Sequence, residues 1–370
     1  MNFSDDGYKS LIGSLGDPAR DKAAGGYYAP DLLSDEQLIG AYRCSWVAKK
    51  LVSIPAFDAV RKWRDWQADT KTVDKIQAEE KRLALQGKLL ECKVKARLWG
   101  GAGIFIGTGE EALEEPFDPE RVKAGGLKYI TVLSRRDLIA GELDDDPLSE
   151  NFAKPKWFDV AGTKDFVRLH PSRIVVQIGD IHPDNWSAGG NAYGWGDSVL
   201  QTAFDSVRNA DSAAANIASL IFEANIDVFG VPGFMANLVD PKYEERVLER
   251  FKLAAAGKSI NRTLIHDADE TYDRKAVTFA QLPELMREFV LLAAGAADIP
   301  LTRFIGQSPA GMSSTGDGDM KNYHDKIQSI QNLEFTPAMW KFDDALVRSA
   351  MGSKKEIETL KAYHRTQTKN

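Results

Sequence analysis

Two kinds of stretch in this 370-residue sequence have residue types and spacings that invite chemistry. Gly311-Met312-Ser313-Ser314-Thr315-Gly316 sets two glycines at the spacing of a phosphate-binding loop, in which backbone amides cradle phosphate oxygens. Such a loop continues with Lys and then Ser or Thr. Here Asp317 and Gly318 follow, so negative charge stands where a phosphate needs a cation. The glycines at 100, 101, 103 and 107 lack the spacing of a dinucleotide fingerprint and read as strand packing or a bulge. Asp267, Asp269 and Asp273 have a loose calcium-loop pattern, but Tyr272 occupies the position that needs glycine, so a solvated hairpin tip is expected. His170, His182, His266, His324 and His364 form no pair at metal-ligand spacing and sit in no nucleophile motif. Cys44 and Cys92 match no zinc spacing and read as reduced thiols. Distant residues can still converge in space, so a nucleotide-dependent enzyme using the Gly-rich stretch stays open.

The elements that would position these residues follow from periodicity. Residues 1–30, with Gly25-Gly26, read as an arm. Ser34 is an expected N-cap with Gln37 three residues on, opening a helix over Leu38–Val52 that ends near Pro55. A second helix is expected over 72–91. Residues 92–180 read as a β-rich module, with strands around Leu98–Gly107, Tyr129–Leu133, Trp157–Val160 and Arg173–Ile178. Asp197 is an expected N-cap for a long helix to about Ala224. Its seam of Val199, Ala203, Val207, Ala210, Ala214, Ile217 and Ile221 has heptad-like spacing. Asp240-Pro241 opens a helix inside a small insert, and Arg262–His266 with Lys275–Phe279 suggest a hairpin. Pro283 starts a helix with Leu285, Phe289, Leu292 and Ala296 on one face. After the Gly-rich stretch 306–319 a helix carries Tyr323, Ile327, Ile330 and Leu333, and Pro337 must kink or break it.

Composition sets outer bounds. Hydrophobic residues at 43% and charged residues at 27% are ordinary globular usage, enough for two or three domains. The net charge of −7 argues against a protein that grips DNA phosphates over a broad basic surface. The N-terminus lacks the layout of a signal peptide, and no apolar run approaches a membrane span.

Ile299-Pro300-Leu301-Thr302-Arg303-Phe304-Ile305-Gly306-Gln307-Ser308-Pro309-Ala310-Gly311-Met312, followed by Gly316-Asp317 and Asn322-Tyr323, closely resembles a segment of phage portal proteins. Trp195-Gly196-Asp197-Ser198-Val199 resembles that family's entry into its first stem helix. Asn2 to Tyr27, and Tyr42-Arg43 with Ala48 to Pro55, resemble its N-terminal arm and first wing helix. The similarity covers most of residues 1–350. It implies an α+β, elongated portal-like architecture: arm 1–30, wing 31–194, first stem helix 195–225, αβ clip 226–282, second stem helix 283–300, tunnel loop 301–319, kinked wing helix 320–352 and basic tail 353–370. Relatives that continue into a helical crown differ here, so the crown is expected to be absent or minimal.

The resemblance further implies a non-enzymatic head-to-tail connector without metal or cofactor: a closed homo-oligomeric ring, expected as a dodecamer, for packaging and ejection of double-stranded DNA. Its implied partners are terminase, major capsid or scaffolding protein and a tail adaptor, with no membrane. Its implied place is the capsid vertex of the virion, and the host cytoplasm during assembly. Gln307, Ser308, Met312, Ser313, Ser314, Thr315 and Asp317 would face DNA. The seam residues with Arg287 would line the subunit interface, and Asp240, Tyr243, Arg262, His266 and Tyr272 would belong to the clip. A capsid or scaffold component without a channel is a further alternative.

Overall fold

The computed structural model describes residues 32–110, 112–161, 166–181, 194–222, 225–233, 242–243, 245–250, 252, 271–276, 281–306 and 317–352. The expected arm 1–30 and basic tail 353–370 lie outside these. The chain divides into two compact units, neither continuous in sequence. One holds Met1–Cys44, Lys62–Gln201 and Asn332–Asn370; the other holds Ser45–Arg61 and Thr202–Gln331.

The first unit opens with α1 (Asp35–Cys44). Its capping box is reciprocal: the Gln37 N–H donates to Ser34 Oγ at 3.2 Å, and the Ser34 N–H donates to Gln37 Oε1 at 2.8 Å. The single helix expected over 72–91 is two, α3 (Thr70–Arg82) and α4 (Leu85–Trp99). Ala84 lies between them at φ 51°, a left-handed conformation that no helix interior accepts. Strand β1 (Gly101–Gly107) is central to an antiparallel sheet, between β2 (Tyr129–Ser134) and β6 (Ile174–Ile178). A second sheet pairs β3 (Leu138–Ala140), β4 (Phe158–Ala161) and β5 (Phe166–Leu169) in that order. Phe105, Leu138, Phe158, Leu169, Ile174 and Trp195 form one buried cluster that includes residues of both sheets. Helix α4 packs against all three strands of the first sheet.

In the second unit α2 (Trp46–Arg61) is the central apolar helix. The expected helix over 38–52 breaks at Ser45, whose hydroxyl accepts from the Ala48 N–H at 3.2 Å and caps the new helix. Pro55 does not end α2. Leu51, Val52, Ile54, Ala56, Ala59 and Val60 are buried around it, and this packing outweighs the ~3 kcal/mol cost of an internal proline. Sequence grouped this segment with the wing, whereas the structure groups it with 202–331.

The long helix α5 spans Leu200–Phe222, about 35 Å at ~1.5 Å per residue. Asp197 pairs with Asp180 in an isolated antiparallel bridge, and at the start of the helix Ser198 Oγ accepts from the Leu200 N–H at 3.1 Å. Strands β7 (Asn225–Gly230) and β8 (Thr271–Ala276) are antiparallel, with Phe229 opposite Tyr272. The strand therefore begins at Thr271, inside the expected polar tip; Asp267 and Asp269 lie outside the described residues. Helix α6 (Leu282–Gly295) has Pro283 in its first turn. It buries Val290, Ala293 and Ala294, leaving Leu285 and Leu292 exposed, so the expected apolar face is not the buried one. Alanines allow closer backbone approach than leucines, which favours their face for packing.

Helices α7 (Leu301–Ile305) and α8 (Asp317–Ser329) flank the Gly-rich stretch. Six residues of π-helix, Ile330–Phe335, then lead into α9 (Thr336–Met351). The π turn lies immediately before Pro337, whose ring would clash with the carbonyl four residues back in a regular α-helix.

Candidate functional site

The Gly-rich stretch is the sequence's strongest motif, and its base is well defined. Three elements of the second unit meet there. Asp58, on α2, is 6% exposed and would be costly to bury as an isolated charge. Arg303, on α7, grips it with both fork nitrogens: Nε lies 2.9 Å from Oδ2 and Nη2 3.0 Å from Oδ1. The Tyr323 hydroxyl, on α8, donates to Oδ2 at 2.8 Å. Arg61 adds a longer contact, Nε to Oδ1 at 3.6 Å. The hydrogen bonds with Asp58 push the Arg303 pKa up, against the opposing effect of its partial burial.

A second tie joins α2 to the same short helix. Lys50 donates its ammonium to the Phe304 carbonyl oxygen, satisfying a C-terminal group of α7. The ammonium also lies 5.2 Å from the Trp46 ring centre and 5.5 Å from that of Phe304. Gly306 then ends the helix at φ 76°, donating its N–H to Thr302 at 3.0 Å. On the far side, Lys326 holds the turn before α7 through the Ala297 carbonyl at 2.8 Å and the Asp298 carboxylate at 3.0 Å.

Of the residues expected to face DNA, Gln307, Ser308, Met312, Ser313, Ser314 and Thr315 lie outside the described residues. Asp317 is the first residue of α8, its side chain undescribed. In the seam, Ala203, Val207 and Ala210 are buried, while Val199, Ala214 and Ile217 are half-buried; Ile221 falls within α5, its side chain undescribed. Arg287 lines an open groove of about 550 Å³ with Trp46, Pro283, Glu284, Met286, Val290 and Ile305. Asp240, Arg262 and His266 lie outside the described residues, Tyr243 is half-buried and Tyr272 sits in β8.

Asp58 and Lys50 had no place in the sequence reading of the site, and Tyr323 entered it only through the resemblance and as part of a helix stripe. Asp58 lies 245 residues from Arg303, and no local pattern marks a buried carboxylate inside an apolar helix. Among the described residues no group of three or more His, Cys, Asp or Glu could hold a metal ion. Cys92 is buried and its thiol is pushed up to about 12 by desolvation, which leaves it protonated and unreactive.

The architecture is a mixed α+β, portal-like one. The chain belongs to the phage portal protein family, whose model matches residues 36–361. A chain of the neck of the native gene transfer agent particle shares the fold at 14% identity and a TM-score of 0.53, covering 87% of this chain and 84% of that one. Two relatives are named anti-CBASS protein Acb1. That of Caulobacter sp. (strain RHG1) is 38% identical over 94% of this chain, and that of Sphingomonas paeninsulae 39% identical over 95%. A protein of Haemophilus influenzae is 33% identical over 94% of this chain and 78% of its own length. The chain spans 57% of the length of each Acb1 relative.

These relatives correct the functional expectation. At 38–39% identity over nearly the whole chain they carry a name that concerns CBASS, not the packaging or ejection of DNA. The head-to-tail connector, its ring around double-stranded DNA, and terminase, capsid, scaffold and tail-adaptor partners are set aside. So is the expectation of a chain without enzymatic activity. The fold is shared with a particle's neck; the function does not follow from the fold.

Proposed function

We propose that this chain acts against CBASS and carries a nucleotide-related enzymatic activity on a portal-type fold. The observation that carries the reading is its 38% identity, over 94% of the chain, to the Caulobacter anti-CBASS protein. Of the alternatives the sequence leaves open, nucleotide chemistry at the Gly-rich stretch fits such a role better than a passive capsid component does. The described geometry supports placing it there: the helices before Gly306 and after Asp317 are both tied to the buried carboxylate of Asp58, which fixes the flanks of the stretch. We place its action in the host cytoplasm.

The test has two arms. Phage plating is compared on bacteria that carry CBASS and on bacteria that lack it, with this chain or a full-length Acb1 relative expressed from a plasmid. The chain is expected to raise plating on the first host only. A rise with the full-length relative and none with this chain would assign the activity to the 43% of the relative's length that the chain does not span, and the reading would fall. In the second arm the purified chain is incubated with nucleotides and the products are separated by chromatography. Unchanged nucleotides would remove the enzymatic part.

A further inference from the structure

We infer that Asp58 is a positioning residue that sets both ends of the Gly-rich stretch from one carboxylate. This rests on the reading that places the activity at that stretch. Oδ1 and Oδ2 take the two bonds of Arg303, which precedes Gly306 by three residues, and Oδ2 also takes the bond of Tyr323, which follows Asp317 by six. The entry and exit of the stretch are therefore referred to the same pair of oxygen atoms on a third element, α2. Pinning α7 and α8 to one carboxylate fixes the end of one helix relative to the start of the other more tightly than two separate anchors would.

The arrangement is asymmetric, and the asymmetry makes it testable. The entry side is a two-bond charge pair and also has Lys50 on the Phe304 carbonyl. The exit side has one neutral hydroxyl on the carboxylate, supplemented by Lys326 on the turn before α7. Tyr323→Phe deletes the exit bond to Asp58 and keeps the ring. Arg303→Lys keeps the charge but loses the fork. Asp58→Asn keeps the volume and loses the charge that holds both.

The experiment is backbone hydrogen exchange on the full chain, wild type and the three variants, read at 301–305, at 317–323, and at 282–295 as an internal reference in the same unit. Tyr323→Phe is expected to speed exchange at 317–323 only, and Arg303→Lys at 301–305 only. Asp58→Asn should speed both by at least about tenfold, the reference staying within about twofold. A uniform rise in all three segments for every variant would make Asp58 an ordinary core residue and overturn the inference, as would no change at either flank. Should Asp58→Asn fail to fold, the opposite local patterns of the two milder variants decide the matter alone. Plating on CBASS-carrying bacteria is read in parallel. Loosened flanks with unchanged plating would leave the anchor standing and remove the activity from the stretch it anchors.

Discussion

Lys93 is 1% exposed, and its ammonium is paired with Glu334 inside the first unit, with the Ile178 carbonyl oxygen 3.3 Å away. Burial pulls its pKa down from 10.5, and the Glu334 charge and hydrogen bond oppose that pull. The two partners are not equivalent, because the Glu334 side chain is 31% exposed and can regain water. Glu334→Gln leaves a cation buried beside a neutral amide and is expected to cost about 3 kcal/mol in urea unfolding. Lys93→Met frees a carboxylate that solvent can reach and fills the space with carbon; it should cost at most about 1 kcal/mol. The pH dependence has a definite sign. Between the lowered folded pKa and 10.5 the unfolded chain binds more protons than the folded one, so this contribution raises stability as pH rises through that window. Lys93→Met should lose that component of the slope. Equal costs for the two variants would mean that the pair behaves as a surface contact.

At the scale of elements, the end of α4 shows how close packing restricts sequence. Gly100 caps the helix at φ 88°, its N–H donating to the Ala96 carbonyl at 2.8 Å. Its own carbonyl accepts from Gly179 at 2.9 Å and Gly196 at 3.1 Å. A Cβ there would overlap the Gly196 carbonyl oxygen, and one on Gly101 would run into the Trp195 ring. Gly100→Ala combines left-handed strain with a backbone collision that cannot rotate away, and should lower the stability measured by urea unfolding by about 3 kcal/mol. A loss below about 1 kcal/mol would show that the 194–197 segment yields easily. The glycines read from sequence as strand packing are thus a real packing signal, though they join α4, β1, β6 and 194–197 and leave the strand unbroken. Strands over 129–134 and 174–178 and the capping box at Ser34 were legible because local chemistry determines them. The break at Ala84, the passage of α2 through Pro55 and the buried face of α6 were not, because tertiary packing overrides local preference at each. The Asp58 anchor was illegible for a different reason: Asp58, Arg303 and Tyr323 lie on three elements, and only the fold brings them together.

At the scale of the molecule, this chain shares its portal-type fold with a chain of a particle's neck and 38% of its matched sequence with an anti-CBASS relative, so the fold alone does not set the task. What the fold dictates most directly is how the chain must assemble. The second unit takes α2 from residues 45–61 and everything else from 202–331. Ten of the sixteen residues of α2 are buried, and Asp58, Lys50 and the Ala59 carbonyl receive Arg303, Phe304 and Gln331 in polar contacts. Without α2 the segment 202–331 keeps an unpaired arginine, the apolar faces that α2 covers, and no replacement for either. A fragment of residues 202–331 is therefore expected to show helical circular dichroism, since α5 is long and alanine-rich, but little chemical-shift dispersion and no cooperative thermal transition. Joining 45–61 to it through a flexible Gly/Ser linker should restore both, because that helix carries the partners of Arg303, Phe304 and Gln331 and linker length costs little entropy. Cooperative unfolding of 202–331 by itself would mean that α2 only decorates the unit, and that the carboxylate of Asp58 is not the point on which its two flanking helices are set.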